Sequence, residues 1–344
     1  MPDREDREKF ILALVIHEYV ESAQPVGSQH LVAHYDLDIS SATVRNILAE
    51  LTEQGYLRQP HTSAGRVPTE EGYRYFVRQL MGQADLPAPV KRTITHQFYQ
   101  AGPDVERWMR LAASVLAHQS QAASLVTAPM PEQVRFKHLE LLATYGRQVL
   151  MVLVLAGGDV RQQVLSLAEP VSQEQLSAVA AQINQTCQGR DADGMADVTM
   201  PPDALAQDIL KLVRDEMNRL KSLLAGEVYR DGLSNVLAEP EFAEADSARK
   251  ALRVLEERSL LEDLLSRTVL ASGPDGVQVL IGGEGTWEEL RDCSIVLARY
   301  GVPGMATGAV GVLGPIRMAY GRTISTVRFV STLLSDLMAG QLVE

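Results

Sequence analysis

Extended apolar runs occupy two separate blocks of this chain, and the gap between them limits what it can fold into. The first block holds "RFKHLELLA", "RQVLMVLVLA" and "DVRQQVLSLA", a meander with "TYGR" and "GG" at its turns. The second holds "VQVLIGG", "CSIVLARYG" and "GAVGVLG", followed by an amphipathic helix, "TISTVRFVSTLLSDLMA". Between the blocks, from Val171 to about Arg267, the pattern is helical, as in "SQEQLSAVAAQINQTC" and "PDALAQDILKLVRDEMNRLKSLL". One sheet can recruit strands from both sides of such a break. The pattern therefore reads as a discontinuous α+β domain, residues 103–171 and 267–344, interrupted by a mainly helical insert, residues 172–266. Within it, Val105 to Val126 reads as a helix ahead of the first strands. At 344 residues the chain is too long for one ordinary core, so a further domain is expected before this one.

That domain is expected over residues 1–80, joined by a Pro-containing linker, 81–102, built around "GQADLPAPVKR". Residues 4–23 carry a broad apolar face. Ser28 is a candidate N-cap for a short second helix, and Ser40 or Ser41 caps a third that runs to about Gln54. On the third helix Val44, Ile47, Leu48 and Leu51 fall at i, i+3, i+4 and i+7, which makes that stripe core, and Gly55 is the natural terminator. "YLRQPHTSAGRVP" then gives two short extended pieces around "HTSAG", and Thr69 caps a fourth helix. Three helices followed by a hairpin is the plan of a winged helix-turn-helix, whose third helix enters the major groove of DNA.

The expected base-facing positions follow from that core stripe. Ala42, Thr43, Arg45, Asn46 and Ala49 are left on the opposite face, where Arg forks onto guanine, Asn onto adenine and a Thr methyl meets thymine. Ser40 and Ser41, beside the free amides of the helix start, suit a phosphate oxygen. In the hairpin, His61, Thr62, Ser63 and Arg66 surround a slim "SAG" tip suited to the DNA backbone or minor groove. The plainer readings are a cap for the serines, a solvated face for Arg45, and a protein-binding winged helix. A net charge of −12 argues against a chain coated by nucleic acid, but local charge is what counts near phosphates. Residues 1–39 carry three basic against eight acidic side chains, whereas residues 40–80 carry five arginines against four glutamates, so the sign changes where the third helix begins.

The wording of these segments points further. "SSATVRNILAELTEQGYLRQPHTSAGRVPTEEGYRYFV" strongly resembles the N-terminal domain of the HrcA family, bacterial heat-inducible transcription repressors. "VLIGGEG", "CSIVLARYG" and "GVLGPIRMAYGRTISTV" resemble the far end of the same family, with the helical middle the weakest match. The resemblance implies a winged helix, a GAF-like domain and a dimerising domain inserted into the GAF-like one. It also implies repression of chaperone operons through an inverted-repeat operator in double-stranded DNA, with a homodimer as the reading unit and the chaperonin GroEL as modulator.

Other constellations point to little chemistry. "IGGEGTW" lacks the third glycine of a dinucleotide loop and "GAVGVLGP" has the wrong spacing, so both read as tight turns. His17, His30, His34, His61, His96, His118 and His138 form no metal spacing along the chain, and Glu256-Glu257 and Glu288-Glu289 read as solvated faces. No Ser or Cys has a nucleophile-elbow context, so no enzyme, cofactor or metal is expected. On "LAQDILKLVRDEMNRLKSLL", Leu205, Ile209, Leu212, Met217, Leu220 and Leu224 form a stripe that is either intradomain core or, more sharply, a subunit interface. "VLMVLVLA", Val149 to Ala156, has about half the length of a membrane span. The charged N-terminus reads as no secretory signal, and Cys187 and Cys293 are in no ligand spacing, so a reduced cytoplasm is expected. Two alternatives stay open: a regulator whose GAF-like pocket senses a small molecule, and an enzyme with an appended winged helix.

Overall fold

Apolar residues spaced one and two turns apart draw the first three helices around one core. The computed structural model describes residues 4–62, 64–81, 85–131, 134–156, 158, 160–196, 198, 203–222, 227–243, 245–257, 260–261, 263–265 and 276–343. Helix α1 (Arg4–Ser22) buries Ile11, Leu12, Val15 and Ile16, α2 (Ser28–His34) buries Leu31, and α3 (Ser41–Glu53) buries Val44, Ile47, Leu48 and Leu51. Ser40 caps α3, its Oγ accepting from the Thr43 amide at 3.1 Å. Gly55, at φ +84°, turns the chain out of the helix in a conformation a side chain would resist. Strands β1 (Leu57–Arg58) and β2 (Val67–Pro68) then pair antiparallel, and Thr69 caps α4 (Glu70–Tyr75) through the Gly72 amide at 3.0 Å. Ser28 is not a cap: Gly27 holds the extended N-cap position, and Ser28 is buried as the first helical residue.

Two further sequence expectations change here. Residues 81–102 are not simply linker, because α5 (Ala88–Ala101) forms within them. Its proline lies in the first turn, where a missing N–H costs no intrahelical bond, and Ile94 and Phe98 give it a buried face. The helix expected to reach Val126 stops earlier. α6 (Val105–Ser120) ends at Gln121 in the left-handed region, and β3 (Ala123–Thr127) follows with all five residues buried. A short, fully apolar run carries no period that separates strand from helix.

The chain divides into two compact units, residues 1–128, 227–300 and 309–344 in one, and 129–226 with 301–308 in the other. The main sheet has six strands: five run in the order β8 (Val228–Asp231), β3, β11 (Ala306–Pro315), β10 (Cys293–Val302), β9 (Val277–Ile281), and the short β4 (Met130–Pro131) pairs with the start of β11. Pairs β3/β8, β3/β11 and β9/β10 are antiparallel. Helix α6 lies against β3 and β8, and the closing helix, Tyr320–Val343, packs on α6 and β9. This sheet does take strands from both sides of the interruption, but the meander is not among them.

In the second unit, β5 (Phe136–Ala143), β6 (Gln148–Leu155) and β7 (Val160–Ser166) form their own three-stranded antiparallel sheet. One face of it, through Leu139, Leu141, Met151 and Leu153, is buried with Leu176, Val179 and Ile183 of α7 (Gln173–Cys187). The boundary expected at 171/172 therefore falls at 128/129, and the return at 226/227 rather than 266/267. The physical reason is the alternating burial of β5 and β6, which need an apolar partner on one face, and α7 supplies it. After the short α8 (Ala192–Ala196), the stripe on α9 (Ala204–Ser222) resolves the same way: Ile209, Met217 and Leu220 lie in this core, with Leu205 and Leu212 packed against it. That is the intradomain reading, and it removes the stripe as a subunit interface. Leu224 lies outside the described residues. Among the described residues, no helix is long and apolar enough to cross a membrane.

Candidate nucleic-acid interface

With the core stripe of α3 turned inward, the opposite side of its first two turns is open. Ala42, Arg45 and Asn46 are exposed, Ser41 and Thr43 are half-buried, and Ser40 is exposed at the cap. Ser40 Oγ is also 2.9 Å from Thr43 Oγ1, so both hydroxyls already have a partner within the helix start. At the hairpin tip His61 and Thr62 are exposed, while Ser63 lies outside the described residues. A cleft of about 490 Å³ separates α3 from the hairpin, and Ser28, Gln29, Arg45, Gln59, Thr62 and Arg66 line it. The fold thus brings Arg45 beside Thr62 and Arg66, although the rest of α3 and strand β1 lie between them in sequence.

Two residues that sequence reading passed over shape this surface. Gln59 Nε2 donates to the carbonyls of Thr62 at 2.9 Å and Ala64 at 3.1 Å, tying the tip into a fixed turn. A Cβ on Gly65 would meet the Val26 carbonyl, so only glycine allows the hairpin to lie against the segment before α2. There the backbones of Val26 and Arg66 exchange two hydrogen bonds of 2.8 Å. Glycine within "SAG" was a visible signal; the glutamine was not.

Arg66, expected at the DNA backbone or minor groove, also has a partner inside the fold. It is half-buried, and its Nε donates to Thr52 Oγ1 at 2.9 Å, which couples the hairpin to the end of α3. Arg66→Ala is therefore expected to lower stability by about 1–2 kcal/mol, read in a urea melt, as a part-buried charged donor is lost. A salt slope of DNA binding that falls by about one unit with no loss of stability would instead assign Arg66 to a phosphate.

Arginines also tie this region to the six-stranded sheet and the chain beside it. Arg74 pairs with Glu70 at 2.9 Å and donates to the Ile281 carbonyl at 2.8 Å. Arg317, 11% exposed, pairs with Glu239 and with Glu241, the latter at 2.6 Å, and donates to the Val20 carbonyl at 3.1 Å. Burial disfavours the charge on its guanidinium, but the two carboxylates outweigh it and hold the pKa above the ordinary arginine value. Between α1 and α2, Glu18, His30 and His34 meet, a grouping invisible along the sequence because the carboxylate comes from another helix.

The family model for the HrcA protein C terminal domain matches residues 106–324. The chain is 46% identical to the heat-inducible transcription repressor HrcA of Roseiflexus castenholzii, over 98% of this chain and 95% of that one. It is 41% identical to the protein of the same name from Chloroflexus aurantiacus, over 97% and 94%, and 39% identical to that of Thermomicrobium roseum, over 97% and 95%. A solved crystal structure of a hypothetical protein shares the fold at a TM-score of 0.61 and 22% identity, covering 97% of this chain and 98% of that one. The chain belongs to the HrcA family of heat-inducible transcription repressors.

Proposed function

We propose that this protein is a sequence-specific, DNA-binding repressor of heat-shock operons that reads an inverted repeat as a homodimer and is kept active by a GroEL-type chaperonin. Residues 1–80 act as a winged helix-turn-helix, with α3 in the major groove and the His61–Arg66 hairpin as wing. The six-stranded sheet with α6 and the closing helix is the GAF-like core, and the second unit is the inserted dimerisation domain. The observation that carries this reading is the exposed Arg45-Asn46 pair on a core-anchored helix, next to the hairpin cleft, in a chain of this family. Ser40, Ser41, Thr43 and Thr62 border that surface and suit phosphate or sugar contacts. No catalytic role is proposed. The buried thiols of Cys187 and Cys293 suit a reducing cytoplasm, and burial pushes the Cys293 pKa up to about 12.

Subunit pairing has a candidate surface in the second unit. On the outer face of the meander, Leu142, Leu150 and Val164 stand in one cross-strand row, and Val154 and Val160 in another. Val164 is 60% and Val160 48% exposed, so among the described residues these positions have no apolar cover. A matching face on a second copy would bury it symmetrically.

Operator titrations test the DNA reading. Arg45→Ala and Asn46→Ala should each weaken specific binding by about 1–3 kcal/mol, the worth of one bidentate base contact, with nonspecific affinity nearly unchanged. Equal losses on random DNA would move both residues to the phosphates.

A further inference from the structure

Glu18 on α1 and His30 and His34 on α2 are arranged as ligands rather than as one ion pair. The histidines are four residues apart and so share a helix face, with their rings near parallel at 14° and centroids 5.4 Å apart. His30 Nε2 is 2.8 Å from one Glu18 oxygen and His34 Nε2 is 4.0 Å from the other. One ligand atom from each of the three residues lies within 4.8 Å of the other two. Burial disfavours the charge on Glu18, yet the His30 hydrogen bond and the two imidazoles outweigh it and hold its pKa below the ordinary value. A single imidazole already satisfies one carboxylate oxygen, and Tyr35 Oη, 3.3 Å away, serves the other. His34, too far for a hydrogen bond, is left without a purpose in that pairing.

We propose that Glu18, His30 and His34 form a binding site for a divalent late first-row transition ion, zinc being the simplest occupant. Two neutral imidazoles and one carboxylate are the donor set such ions prefer, whereas magnesium and calcium want oxygen alone. Three protein ligands leave the fourth tetrahedral position for water. Bonds of roughly 2.0–2.2 Å place tetrahedral ligand atoms about 3.4 Å apart. The 2.8 Å pair of His30 and its Glu18 oxygen must therefore open by about half an ångström, and the His34 ring must turn in toward that same oxygen, because its 4.0 Å approach is to the other one. Both imidazoles are about half exposed, at 52% and 56%, and free to rotate that far, while Glu18, 12% exposed, gives a fixed base. Tyr35 Oη, also 3.3 Å from His17 Nδ1, would hold the carboxylate from behind. Metal here would join α1 to the seven-residue α2, both of which pack on α3. The ion would thus stiffen the support of the proposed recognition helix, and binding would raise the melting temperature by mass action.

The test uses the full chain, stripped with chelator and titrated with zinc chloride by calorimetry and with cobalt(II) by visible absorption. One equivalent should bind per chain with a tetrahedral cobalt spectrum, and the melting temperature should rise with added zinc. His30→Gln with His34→Gln should abolish all three responses, and Glu18→Gln should weaken them, while His118→Gln leaves them intact. Equal zinc uptake by the parent and the double variant, or no uptake by the parent, overturns the proposal. X-ray absorption of the loaded parent chain decides independently of any variant's folding: two imidazole ligands support the site, and one or none overturns it.

Discussion

With Leu150 and Val164 both replaced by glutamate, the chain is expected to sediment as a monomer and to bind an inverted-repeat operator about 10²–10⁴-fold more weakly. The two positions are cross-strand partners on β6 and β7, so the substitutions set two carboxylates side by side at the centre of the apolar row. Like charges so placed are unfavourable even on a free surface, and burying them unpaired against a second copy costs several kcal/mol. The inner face of the same sheet, through Met151, Leu153 and Leu165, stays in its core, so the unit should remain folded and its melt little changed. Half-site affinity, measured on a single arm of the repeat, should also be unchanged, because the surface proposed to contact DNA is untouched. The loss is confined to the second arm, whose contact is intramolecular only in a dimer. A variant that stays dimeric would move the interface off this sheet, and it could not return to the α9 stripe, which is buried in the same core.

Denatured protein diluted into buffer at its working temperature is expected to regain little operator binding alone and several times more with chaperonin and nucleotide. The reason lies in β3. Leu125 pairs with Arg230 on one side and Gly311 on the other, so this strand waits for partners from two distant stretches of chain. Thr127 is fixed by equally remote groups: the Tyr300 hydroxyl donates to its carbonyl at 2.5 Å, and the Ala309 amide to its hydroxyl at 2.9 Å. Until both arrive, an all-buried strand stands with two open edges, a slow closure that exposes aggregation-prone surface. An interposed unit with its own core must also fold inside that loop. Heat that fills the chaperonin with other clients would then lower active repressor and open the operon. Full unaided recovery would remove this route while leaving the DNA reading of Arg45 and Asn46 standing.

Local signals carried the parts of this molecule that neighbours decide. The α3 core stripe, the Ser40 and Thr69 caps, the Gly55 stop and the strands of the C-terminal block are legible because period, capping and turn chemistry act over a few residues. The exposed Arg45-Asn46 pair follows from that stripe by elimination. Partnership between distant faces was not legible. The meander and the α9 stripe each announce an apolar face, but only packing shows that these faces cover one another rather than the main sheet or a second subunit. The short strand β3 reads as a helix end until its two partners are known, and the α5 segment reads as a linker until Ile94 and Phe98 find cover. Arg66 looks like a free cation until Thr52 appears opposite it, and His30 and His34 look like surface residues until α1 brings Glu18 between them. An amino-acid pattern states how much surface must be buried and on which side; which surface meets it is settled by the whole chain at once, because burial is non-directional and many partners would satisfy the same stripe.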